Sequence, residues 1–168
     1  MTIENTLAAR AERYRALVRD EMRAVVGDSP DGLYAWMRYH LGWEDLEGRP
    51  EQASGGKLMR PVAVLLAAEA CGARAEQAVA GAAAIELVHN FSLLHDDVED
   101  RSDFRRGRAN LWTFAGVAHA INTGDGMFTV DELIETVPGS LMNGIVPVVP
   151  PVRMSDAVKS GDMKKKAG

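Results

Sequence analysis

The sequence predicts an all-α domain over residues 1–128, followed by a tail of a different kind over residues 129–168. Three observations lead there. Apolar side chains recur at intervals of three and four through most of the first region, the period of a helix with one buried face. Aromatics make up only 6% of the chain while Ala and Leu abound, which suits helix packing better than strands. Pro138, Pro147, Pro150 and Pro151, four of the seven prolines, lie in the tail, where they forbid a long helix and favour extended backbone.

The elements follow in order. Thr2 to Val26 reads as a helix whose stripe is Ile3, Leu7, Tyr14, Leu17, Val18, Met22 and Val25, with Gly27 as its cap. Ser29-Pro30-Asp31 resembles an N-cap with Pro at the first helical position, opening a helix that carries Leu33, Trp36, Met37 and Leu41. Gly42 to Ser54 is polar and rich in turn formers, so it is a loop. Pro61 fits the first turn of a helix over Val62 to Ala70, closed by Gly72. A long Ala-rich helix is expected from Ala75 to Asp100, then a loop from Arg101 to Arg108. Leu111 to Phe128 resumes a helical pattern, and Gly124-Asp125-Gly126 is expected to loosen its end.

With 168 residues, 46% of them hydrophobic, the chain is long enough for one domain with a core. A net charge of −5 argues against a nucleic-acid binder, which would carry a basic footprint. Cys71 is the only cysteine and sits in an apolar run, so no internal disulfide forms and a small core residue in a reducing compartment is expected. The start of the chain is charged at Glu4, Arg10, Glu12 and Arg13, unlike a signal peptide, and no apolar run reaches membrane-spanning length. The expectation is a cytoplasmic protein without a transmembrane segment.

Two stretches point to chemistry. His95-Asp96-Asp97-Val98-Glu99-Asp100 places four carboxylates at the end of a run, Ala78 to Leu94, whose only ionised side chain is Glu86. On a helix Asp96 and Asp100 share a face, about 6 Å apart, with Asp97 and Glu99 flanking it. Carboxylates that close repel unless a cation lies between them, and Mg²⁺ is the hard cation typically held by one or two carboxylates and a substrate's phosphates. His89 lies two turns earlier on the same side. The second stretch is Gly55-Gly56-Lys57-Leu58-Met59-Arg60-Pro61, where glycines and cations at a helix start provide what an anion needs. After the acidic stretch come Arg101, Arg105, Arg106 and Arg108, which offer an Arg pair for bidentate phosphate contacts opposite the metal site. The bland readings are a solvated helix end, a plain Gly-Gly turn, a core histidine and mutual neutralisation across a loop.

Taken together, these pieces resemble the trans-type polyprenyl (isoprenyl) diphosphate synthases. Gly55-Gly56-Lys57-x-x-Arg60-Pro61, Glu86-Leu87-Val88-His89-Asn90, Leu93-Leu94-His95-Asp96-Asp97-x-x-Asp100 and Arg105-Arg106-Gly107 stand in that family's order, and Trp112 and Ala120 to Asp125 are similar to the segment that follows. The resemblance covers about residues 1–128. It implies antiparallel helices of the isoprenoid synthase type around an apolar cavity, and head-to-tail condensation of isopentenyl diphosphate with an allylic diphosphate. It implies Mg²⁺ on Asp96 and Asp100, with Asp97 nearby, and Arg105 against the allylic diphosphate. Lys57, Arg60, His89 and Arg106 would take isopentenyl diphosphate. Phe91 would be a floor that limits product length, or else ordinary core.

From about Thr129 the resemblance is lost. The family's second aspartate-rich motif is not found; Asp156 and Asp162 stand apart with Lys159 between them. The tail reads as a truncation, a frameshift or a replacement, partly extended or disordered, with a basic end. Helices lacking half their barrel should pair, as a homodimer or with a full-length synthase. The alternative to a prenyltransferase is therefore a non-catalytic prenyl-diphosphate-binding or accessory subunit. A transition-metal phosphohydrolase on His89 and His95-Asp96 has little support, since the remaining His40 and His119 carry no ligand pattern.

Overall fold

The computed structural model describes residues 6–29, 32–51 and 56–129. Six helices and one short hairpin make up this part of the molecule: α1 Leu7–Val26, α2 Gly32–His40, α3 Met59–Ala70, α4 Val79–Glu99, β1 Phe104–Arg105, β2 Arg108–Ala109, α5 Leu111–Ala115 and α6 Val117–Phe128. The all-α expectation holds. The expected N-cap at Pro30 and Asp31, Gly55, and the tail from residue 130 lie outside the described residues.

In α1 the Thr6 hydroxyl accepts from the Ala9 N–H at 3.2 Å, and Gly27, at φ 66°, ends the helix. The buried row is Tyr14, Val18, Met22 and Val26, each four residues apart. Leu7 and Val25, expected in the stripe, are exposed, because a residue one place off a four-residue row is turned about 100° from it. Arg38 of α2 is buried and paired. Its guanidinium donates to Glu44 Oε1 at 2.7 Å and to the carbonyls of Gly27 and Ser29 at 3.1 and 3.0 Å, pinning the corner between α1 and α2.

Helix α3 begins at Met59, earlier than expected, after Leu58 in the left-handed region at φ 48°. It ends in a Schellman motif: Ala73 N–H donates to Ala68 O at 3.0 Å and Gly72 N–H to Glu69 O at 2.9 Å, with Gly72 at φ 86°. Cys71 corrects an expectation. It follows the last residue of α3 on the exposed side of that turn, so it is a surface thiol and not core.

Helix α4 is the organising element. The expected long helix divides in two, a 3₁₀ turn at Ala75–Gln77 and then α4 itself. Its inner face is Val79, Ala82, Ala83, Glu86, Leu87, Asn90, Leu94 and Asp97, small and apolar at the start and increasingly polar toward the end. It packs on α1 and α3 and most extensively on α6. A second Schellman motif closes it: Ser102 N–H donates to Asp97 O at 3.0 Å and Arg101 N–H to Val98 O at 3.3 Å. Arg101 occupies the left-handed position, φ 51°, where glycine is usual.

Two further expectations are corrected. Residues 101–108 are not simply a loop; Arg105 pairs with Arg108, and Arg106-Gly107 forms a two-residue turn. Both turn residues have positive φ, 54° and 79°, as a type I′ hairpin requires. Leu111 to Phe128 is two helices, broken at Gly116 with φ 88°. Gly124 and Gly126 do not loosen α6. They lie within it and allow close packing: a Cβ on Gly124 would stand 2.6 Å from His95 Cδ2, and one on Gly126 would stand 2.5 Å from Met37 Cε. Among the described residues no helix is long and apolar enough to cross a membrane.

Candidate diphosphate site

The end of α4 splits its aspartates into two kinds. Asp96 and Asp100 are exposed and make no ion pair with any described residue. Asp97 is turned inward and is only 2% exposed. Arg105 Nε donates to both of its oxygens at 3.0 Å, and Arg105 Nη2 to Oδ1 at 2.7 Å. The hydrogen bond to Asp97, reinforced by the charges of Asp97, Asp96 and Asp100, raises the Arg105 pKa against the opposing effect of burial.

The cations gather on His89. Burial lowers its pKa, and Arg60, Arg106 and Arg105 lower it further, while Asp96 acts in the opposite direction. Residues from α3, the end of α4 and the hairpin thus lie within electrostatic reach of one imidazole. Arg38, Arg105 and Arg108 each have a carboxylate partner, but Lys57, Arg60 and Arg106 have none among the described residues. Gly56, at φ 87°, shows how close the pieces stand: a Cβ there would lie 3.1 Å from Arg106 Nη2. Gly56 therefore stands beside the Arg106 side chain of the hairpin tip. Lys57 is tied in through its backbone, its carbonyl accepting from Arg15 Nε at 3.0 Å, and its side chain is exposed.

Backbone strain borders the same region. Leu58, Arg101 and Arg106 are the non-glycine residues with positive φ among the described ones. They stand between Lys57 and α3, just after Asp100, and at the hairpin tip. Each left-handed position costs roughly 1–2 kcal/mol for a residue with a Cβ, and such strain concentrates at functional sites.

Beneath the cations lie groups that sequence reasoning did not place in the site. Glu86 is 4% exposed; burial raises its pKa, against Asn90, Arg60 and Arg106. Asn90 Nδ2 donates to the Glu86 carbonyl at 2.8 Å and to Glu86 Oε1 at 3.4 Å, while its buried Oδ1 has no hydrogen-bond partner among the described residues. His40 is pushed down to about 3, first by burial and then by Arg106 and Arg105, with Asn90 acting in the opposite direction. A lone carboxylate in an apolar helix was the available signal for Glu86. His40 carried none, because α2 joins the site only in three dimensions.

Phe91, half-buried, packs its ring 4.5 Å from the ring of His95 and 5.0 Å from that of Phe128. His95 turns toward α6, its Nε2 3.3 Å from Ile121 O and 3.4 Å from Asp125 Oδ1. The acidic stretch therefore serves two purposes: His95 and Asp97 knit structure, while Asp96 and Asp100 remain available.

The available residues fit Mg²⁺ in one way only. No group of three or more His, Cys, Asp or Glu that would hold a metal is found among the described residues. Two unpaired carboxylates with hard oxygen donors suit an ion that completes its shell with water and substrate phosphates. A self-contained transition-metal centre finds no ligand set here.

The model of the polyprenyl synthetase family matches residues 51–137. The chain is 50% identical over 92 residues to a (2E,6E)-farnesyl diphosphate synthase of Mycobacterium tuberculosis, covering 55% of this chain and 26% of that protein. It is 40% identical over 116 residues to a geranylgeranyl diphosphate synthase of the same organism, covering 69% of this chain and 33% of that one. Among solved structures, a polyprenyl synthetase from Streptomyces coelicolor superposes with a TM-score of 0.75 at 40% identity, over 83% of this chain and 41% of its own. The chain thus spans about a quarter to a third of the length of these curated relatives. The matched segment contains α3, α4, the hairpin and both α5 and α6, the elements that bring the carboxylates and cations together. On that match, this chain belongs to the polyprenyl synthetase family.

Proposed function

We propose that the chain carries one wall of a Mg²⁺-dependent prenyl-transfer site for isopentenyl diphosphate and an allylic diphosphate. One observation carries the reading: Arg60 and Arg106 both act electrostatically on His89 and have no ion-pair partner among the described residues, beside two carboxylates that are likewise unpaired among them. Like charges held together in a folded protein favour an anion between them. Asp96 and Asp100 would hold Mg²⁺, which when bound neutralises charge on the leaving diphosphate. Arg105, fixed by Asp97, would face the allylic diphosphate; Arg60, Arg106, His89 and Lys57 would bind and orient isopentenyl diphosphate. His89 is held toward its neutral form, so one ring nitrogen accepts while the other donates. Phe91 would set the depth available to the growing chain. The reading carries a cytoplasmic location with it.

A second reading is a non-catalytic accessory subunit that binds prenyl diphosphates and pairs with itself or with a full-length synthase. It rests on the cations and carboxylates unpaired among the described residues alone, which supply binding without requiring turnover. One assay separates the two: release of pyrophosphate from isopentenyl and geranyl diphosphates with Mg²⁺, by the chain alone and with an intact synthase added. Release by the chain alone supports the transferase. No release, with co-purification of the synthase, supports the accessory role. No diphosphate binding by the folded native chain, with neither release nor co-purification, would sink both.

A further inference from the structure

We propose that Asp97 is a positioning residue that fixes Arg105 as a rigid donor face toward a diphosphate, and that it is not a ligand of Mg²⁺. The proposal rests on the diphosphate reading above and separates the roles of three neighbouring aspartates.

The starting point is burial. Asp97 is 2% exposed, whereas Asp96 and Asp100 are exposed. Successive helical residues point about 100° apart, so a face shared by Asp96 and Asp100 excludes Asp97. A carboxylate offers about four lone-pair sites, and Arg105 occupies three of them through the contacts of Nε and Nη2. The residue's 2% exposure leaves little room for a hydrated ion at the remaining one.

The same geometry defines what Arg105 can still do. A guanidinium carries five N–H bonds in a planar fork. The Nε–H and one Nη2–H are directed at Asp97, leaving both Nη1–H bonds and one Nη2–H without a partner among the described residues. The group lies within electrostatic reach of Asp96 and Asp100. Arginine needs no partner to remain charged, so the task left to Asp97 is orientation. The backbone around Arg105 is held as well. Its strand partner Arg108 pairs with Glu51 and donates to the carbonyls of Tyr39 at 3.1 Å and Glu44 at 2.7 Å. Arg105 is thus fixed at both ends, by β1–β2 pairing and by its ion pair with Asp97.

The test uses the full chain, Mg²⁺ and inorganic pyrophosphate, with binding followed by calorimetry. In Asp97→Asn the Mg²⁺ concentration that half-supports binding stays at its native value. Pyrophosphate affinity at saturating Mg²⁺ falls about tenfold, as expected when a donor group loses its fixed geometry. Arg105→Lys loses a similar factor, and the double variant loses no more than either single one. Asp97→Glu, which keeps the charge, recovers part of the affinity and serves where the Asn variant folds poorly. Asp96→Asn, by contrast, moves the Mg²⁺ midpoint. A shifted Mg²⁺ midpoint in Asp97→Asn or Asp97→Glu overturns the proposal by making Asp97 a metal ligand. A lower melting temperature with unchanged affinity overturns it by making the pair merely structural. Native chain that binds no pyrophosphate overturns the diphosphate reading itself, an outcome distinct from both.

Discussion

Single residues in this chain are assigned by whether their charge is already satisfied. Asp96 and Asp97 adjoin in sequence, yet one is free and the other is consumed by Arg105. Spacing alone showed that Asp96 and Asp100 share a face; it could not show which way Asp97 turns, because that depends on a hairpin eight residues later. His40 was illegible for a related reason. Its neutrality comes first from burial and then from Arg106 and Arg105, which are distant in sequence. That neutrality has a pH consequence. The folded state holds His40 neutral down to about pH 3, while an unfolded histidine protonates near its ordinary value. Between those limits the unfolded chain binds more protons, so stability rises with pH and is lost on acidification. His40 is partly exposed, so solvent screening reduces the effect to about 1–2 kcal/mol between pH 7 and pH 5. Urea unfolding at the two pH values should show that loss in the native chain and a smaller one in His40→Gln. Equal losses would rule out His40 as the source.

At the level of elements, α4 was the most legible, because a long apolar run ending in carboxylates needs only local pattern to be read. What the pattern missed is how helices meet. Gly124 and Gly126 look like breakers in a one-dimensional reading; in the fold they are the places where α6 touches His95 and Met37. The helix break falls instead at Gly116, whose φ of 88° disfavours any other residue. The hairpin was missed because an Arg-Gly turn between arginines lacks the alternating apolar strands that usually announce one. Gly124→Ala should therefore destabilise, although Ala is the better helix former. Pushing a methyl group into the His95 ring costs about 1–3 kcal/mol, more than the roughly 1 kcal/mol gained in propensity. A fall in melting temperature checks this; a rise would show that α6 does not press on α4 at Gly124.

Across the described residues, the charged site lies on helices that still leave large apolar side chains exposed. Phe104, Phe114, Val117, Ile85 and Phe128 remain between 43% and 70% exposed among the described residues. The family, the all-α fold and the order of the motifs were readable from sequence, because each motif lies within a few residues. The convergence of Arg60 from α3, His89 from α4 and Arg106 from the hairpin was legible only through the resemblance, which implied one diphosphate site for them; residue spacing alone does not bring α3, α4 and the hairpin together. That convergence is the central claim, and Mg²⁺-dependent binding of inorganic pyrophosphate to the full chain, titrated by calorimetry, tests it most directly. The native chain should bind with Mg²⁺ and weakly without it. Arg60→Ala and Arg106→Ala should each weaken binding by tenfold or more, about 1.4 kcal/mol, and Asp96→Ala should abolish the Mg²⁺ dependence. Binding that is indifferent to Mg²⁺ and unchanged in all three variants would contradict the account.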